Sequence, residues 1–171
     1  MPIREAMRRL VAERALDLLD NRRARVPEMT PPRFEALFAA RILLECEAAR
    51  QALPHITPAD LADLRRLDQT ADEVFAKGDT ERTIEANFNF HKHLYSLAPS
   101  DALTPLIEII WLQIGPFMRA ALTGATVYNR ADRHSEALAA IEARDAAALA
   151  RAIEADVRDG IGHLTLAAKA A

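Results

Sequence analysis

A single cysteine, Cys46, has no intrachain partner among 171 residues, which excludes a disulfide-stapled secreted framework and favours a reducing compartment. Long apolar runs are missing too. The longest, Leu106 to Met118, is interrupted by Glu108 and Gln113 and falls short of the ~18 to 20 residues of a membrane span. Arg4, Glu5, Arg8 and Arg9 stand where a signal peptide needs an apolar core, so the expected location is cytoplasmic. Nor is there a basic excess: the net charge is 22 − 25 = −3, and any attraction for nucleic acid must be local. With 50% hydrophobic and 27% charged residues, the chain is a globular domain that can bury a real core.

Only 5 glycines and 5% aromatics, beside abundant Ala, Leu, Arg and Glu, predict helix nearly everywhere. The one exception is a short hairpin, Ala15 to Leu19 and Ala24 to Val26, around the polar turn Asp20-Asn21-Arg22-Arg23. Before it, Pro2 suits the first turn of a helix whose apolar face is Ile3, Met7 and Leu10. Pro27, Pro31 and Pro32 mark a boundary, with Thr30 as N-cap of the next helix. Further helices are expected at 33–53, 59–76, 79–97, 102–122, 130–143 and 146–168, announced by Thr57-Pro58, Asp79, Ser100-Asp101, Asn129 and Asp145. Pro116 should bend or break the apolar helix that contains Trp111. The fold class is all-α, a bundle of six or seven helices.

Chemistry shows where polar residues fall inside apolar stripes on the helical wheel. Asn87 and His91 lie within the stripe of Ile84, Phe88, Leu94 and Tyr95; His134 aligns with Leu138 and Ile141; Asp156 aligns with Leu149, Ile153 and Gly160. Buried polar groups need partners, and a buried carboxylate costs several kcal/mol unless paired or coordinated. One solution is that Asn87, His91, His134 and Asp156 meet around a divalent ion, with donors that suit zinc, nickel or manganese. The other is a polar network satisfied internally. His93 and His163 point elsewhere or stand too far along their helices, and His55 belongs to a proline-bounded turn.

Arg41 sits at the centre of the face formed by Phe34, Leu37, Phe38 and Leu44, with Glu45 one turn later. Two readings are open: an i,i+4 pair with Glu45, or a guanidinium fork held at a pocket for a carboxylate ligand. Arg119, beyond Pro116, is a second candidate for that ligand.

The stretch MPIREAMRRL at residues 1–10, followed by Ala24-Arg25-Val26, resembles the recognition helix and wing of the winged helix-turn-helix in GntR-type transcription regulators. The remainder resembles the FadR-type C-terminal ligand-binding domain, FCD. Its matching features are Arg41 and Glu45 in ARILLE, Asn87 to His91 in NFNFH, His134 in RHSEALAAIEARD, and Asp156. Where metal-binding members often carry Asp and His, this chain has Asn87 and Asp156. The resemblance divides the chain into a winged-helix remnant at 1–28, with Arg4 and Arg22 contacting DNA, and a helical effector-binding and dimerisation domain at 29–171. Residues 1 to 25 carry seven Arg against four acids, a local +3 suited to phosphate contact.

Met1 falls where the recognition helix begins, so a complete winged helix would need helices encoded upstream, and this chain alone should bind an operator weakly or not at all. The expected function is a homodimeric, non-enzymatic transcription regulator whose helical domain senses a small carboxylate, with a divalent ion in the site and no membrane partner. A metal-dependent enzyme on the same bundle, or a helical interaction module without ligand, are the readings from other classes.

Overall fold

A computed structural model describes residues 2–20, 23–124 and 133–170, with side chains described for 2–20, 23–119 and 133–159. Among the described residues seven α-helices follow one another: α1 Pro2–Ala12, α2 Pro31–Ala52, α3 Pro58–Ala76, α4 Thr80–Ser96, α5 Leu103–Gly124, α6 Arg133–Glu142 and α7 Ala146–Ala170. A two-residue hairpin, β1 Asp17–Leu18 with β2 Ala24–Arg25, stands between α1 and α2, pairing Asp17 with Arg25 and Leu18 with Ala24. The expected turn residues Asn21 and Arg22, and the expected cap Asn129, lie outside the described residues.

Local chemistry starts most of these helices. Thr57 and Asp60 form a reciprocal capping box on α3, Asp79 accepts from the Arg82 amide on α4, and the Asp145 carboxylate accepts from the amides of Ala147 and Ala148 on α7. Thr30 precedes α2 in extended conformation without a side-chain cap, so the start there rests on Pro31 and Pro32. Pro116 neither breaks α5 nor ends it: the helix runs on to Gly124. Pro116 and Leu112, the residue whose carbonyl loses its donor, both lie on the exposed side, the less costly place for an unpaired carbonyl.

Small residues let α2 approach α7: Ala48, Ala49 and Ala52 are fully buried, and the Cys46 thiol donates to the Ala150 carbonyl at 3.3 Å. Burial pushes that thiol up to about 11, which leaves it unreactive. The main core joins these residues to Leu64 of α3, Phe90 and Leu94 of α4, Ile107 of α5, Ile141 of α6 and Ile153 of α7. α1 buries no residue of its own and closes at Arg14, whose φ of 57° is left-handed. Arg33 on α2 ties this end down, donating to the Arg14 carbonyl at 3.0 Å and to the Gln113 side chain of α5 at 3.1 Å.

Candidate metal centre

The inward stripes of α4, α6 and α7 deliver His91, His134 and Asp156 to one place in the bundle. Both imidazoles are 1% exposed, and the Asp156 side chain 20%. One ligand atom from each lies within 4.8 Å of the others, the one such group of His, Cys, Asp or Glu among the described residues. His91 Nε2 stands 3.0 Å from Asp156 Oδ2 and 3.3 Å from His134 Nε2. Ligand atoms sharing an ion at ~2.1 Å are separated by about 3.0 to 3.4 Å, so these spacings fit a first-row divalent ion.

The outer faces of the two rings decide what the inner faces offer. Burial and the neighbouring Glu45 carboxylate raise the Tyr95 phenol well above its ordinary pKa, so it keeps its proton. That proton is donated to Glu45 Oε2 at 2.9 Å, which leaves the phenol oxygen to accept from His91 Nδ1 at 3.0 Å. His134 Nδ1 meets Asp68 Oδ1 of α3 at 3.0 Å, again as donor. With Nδ1 turned to an outer partner on each ring, both Nε2 atoms face inward, toward the Asp156 carboxylate, where each can hold a metal ion or a proton. Three acceptors at this spacing repel one another unless a cation, metal or proton, lies among them. Phe90 stacks on His134 with centroids 3.9 Å apart and planes at 14°, which holds that ring in place.

Asp156 is ionised in this setting. Burial opposes its charge, but the field and hydrogen bond of His91, with the fields of His134 and Arg41, outweigh burial and hold its pKa well below the usual carboxylate range. Asn87, the fourth expected ligand, is half-buried one turn before His91 on α4.

Of the two readings for Arg41, the structure realises the pairing. Arg41 Nε donates to Glu45 Oε1 at 2.6 Å and Nη2 to Oε2 at 3.4 Å, with the guanidinium over the Trp111 ring at 4.6 Å. Burial opposes the charge on Arg41, yet the field and hydrogen bonds of Glu45 more than offset it. Glu45 also accepts from Trp111 Nε1 at 3.1 Å, so Arg41, Tyr95 and Trp111 all converge on one fully buried carboxylate. Arg119 does not join this cluster: it pairs with Glu81 at 2.5 Å on an exposed part of the bundle. Arg4 is exposed on α1, and Arg22 lies outside the described residues.

Sequence reasoning missed Asp68, Tyr95 and Trp111 as polar partners. Asp68 was findable on the wheel: it stands four residues after Leu64 and three before Ala71, both buried on the inner face of α3. The apolar rings of Tyr95 and Trp111 read simply as core.

Residues 36–159 match the FCD domain family. The chain belongs to that family. It is 31% identical over 147 residues to the HTH-type transcriptional regulator McbR of Escherichia coli K12, a match covering 84% of this chain and 66% of that protein. The chain therefore spans just under two thirds of this curated relative. The solved structure of E. coli McbR/YncC superposes with a TM-score of 0.84 at 26% identity, covering 96% of this chain and 79% of that one. A GntR family member from Pseudomonas syringae pv. tomato DC3000 superposes at 0.73 with 25% identity, covering 100% of this chain and 72% of that one. The all-α bundle is thus shared with GntR-family regulators.

Proposed function

We propose that this FCD chain is the ligand-sensing part of a GntR-type transcription regulator and holds a divalent ion between His91, His134 and Asp156, with Asn87 as a further oxygen donor. The observation that carries the reading is the convergence of His91, His134 and Asp156, with the Nδ1 atoms of both histidines engaged by outer partners so that both Nε2 atoms face the carboxylate. A bound ion would supply a Lewis-acidic anchor for a small carboxylate. This chain's residues would shape that anchor: Phe90 orients His134, and the buried positive charge of Arg41 lowers the cost of an anion nearby. Direct contact between Arg41 and the effector would require it to release Glu45.

Regulation is linkage: a ligand that favours one arrangement of paired DNA-reading helices changes operator affinity by the difference. A homodimer suits paired half-sites, and α1 with Arg4 supplies the reading face. No helix among the described residues is long and apolar enough to cross a membrane.

The test is elemental analysis of purified protein never exposed to chelator, followed by calorimetric titration with Zn2+, Ni2+ and Mn2+. About one ion per chain, lost in His91→Ala and His134→Ala, supports the proposal. An ion content near zero with no binding of any added metal refutes it.

A further inference from the structure

The two inward-facing histidines are held from behind by different means. His91 is backed by a neutral phenol, and the carboxylate behind that phenol already accepts from Arg41 and Trp111. His134 is backed directly by a carboxylate, at 3.0 Å, from a helix that contributes none of the expected ligands. The Asp68 side chain is only 14% exposed, so its charge is poorly screened where it meets the ring. A carboxylate on Nδ1–H fixes the tautomer and raises the basicity of the opposite nitrogen.

We infer that Asp68 is a positioning residue for the metal centre, holding His134 so that Nε2 faces the ion and increasing its strength as a donor. The inference rests on the metal-binding reading above. It makes α3 a part of the site: a change in how α3 sits against α6 alters metal affinity without touching a ligand. The Asp68–His134 contact spans 66 positions in sequence, so it also reports whether the bundle has closed around the site.

The experiment compares Ni2+ and Zn2+ affinity by calorimetry in wild type and Asp68→Asn, with thermal melting of the chelator-treated proteins alongside. The amide can still accept from Nδ1–H through its carbonyl, so a structural role alone would leave affinity unchanged. We expect a 10- to 100-fold weaker affinity, with melting of the metal-free proteins nearly coincident. Wild type that binds and Asp68→Asn that binds within about threefold of it overturn the inference while leaving the metal reading intact. Wild type that binds neither of these ions, nor Mn2+, overturns both.

Should Asp68→Asn not fold, ring nitrogen NMR of zinc-loaded wild type decides. A protonated Nδ1 and coordinated Nε2 on His134 are expected, and coordination through Nδ1 overturns the inference.

Discussion

His91 and His134 face each other Nε2 to Nε2 at 3.3 Å, each with its Nδ1 committed to an outer partner. Without a cation between them, this geometry leaves buried lone pairs opposed to each other and to Asp156. An ion that binds the folded state relieves that repulsion and stabilises the fold by mass action. At a hundredfold excess over Kd the gain is about 2.7 kcal/mol, which for a chain of this size is a rise of roughly 5 to 10 °C in Tm. Thermal melts with excess Zn2+ or Ni2+, then EDTA, should show this rise and its reversal. His134→Ala should show neither.

The sole tryptophan provides a direct reporter. Trp111 lies with its ring centroid 6.1 Å from that of His91. Open-shell Ni2+ or Co2+ at the centre should quench its fluorescence strongly, whereas Zn2+, with a filled d shell, should not quench and should restore emission by competition. Unchanged emission at saturating Ni2+ would place any bound nickel far from His91.

Asp156 sets the acid limit of the metal-free fold. Its folded-state pKa lies below the unfolded value of about 3.9, because His91, His134 and Arg41 outweigh the cost of burial. The native state therefore binds this proton less readily than the unfolded chain. The resulting stability is complete above the unfolded pKa and is lost as pH falls through the folded one. Asp156→Asn should be about 1 to 3 kcal/mol less stable than wild type at pH 7, with the gap narrowing below pH ~4. Urea unfolding at pH 7, 5 and 3.5 measures this, and a gap independent of pH would contradict it.

Arg33 joins the end of α1 to α5 through the Arg14 carbonyl and Gln113. Arg33→Ala should cost about 1 kcal/mol and speed hydrogen exchange at Ala15 and Leu16, whose amides bond to Leu10 beside that carbonyl. Exchange there equal to wild type would mean that the clamp does not restrain α1.

How far the sequence was readable follows from the range of each signal. Capping is local, so Thr57-Pro58, Asp79 and Asp145 announced their helices, and the hairpin followed from its polar turn. Periodicity put His91, His134 and Asp156 on inner faces, because burial leaves a 3.6-residue imprint on each helix separately. What each side chain meets is set by helix packing, which no single helix encodes. Hence Arg41 remained divided between Glu45 and a ligand, and Asp68 escaped notice although its position carried the same imprint. At Pro116 the alternative of a break is not realised: α5 runs through it, with Leu112 and Pro116 on the exposed side.

Glu45 and Arg41 offer the sharpest division between a structural pair and a ligand anchor. Glu45 is fully buried and accepts from Arg41, Tyr95 and Trp111, while Arg41 is 3% exposed between Trp111 and Phe38. Glu45→Gln removes the counter-charge of a buried guanidinium and should cost about 3 to 5 kcal/mol without any ligand present. Arg41→Lys keeps the charge but loses the fork, for about 1 to 3 kcal/mol. Because each single change strands its partner, replacing both with apolar residues, Arg41→Met with Glu45→Leu, should be less damaging than the sum of Arg41→Met and Glu45→Leu alone. A cycle of urea unfolding on these proteins, kept metal-free and ligand-free, measures the coupling. Additive losses would mean that the pair does not act as a unit. Single variants as stable as wild type would return Arg41 to the role of an anchor held for a ligand.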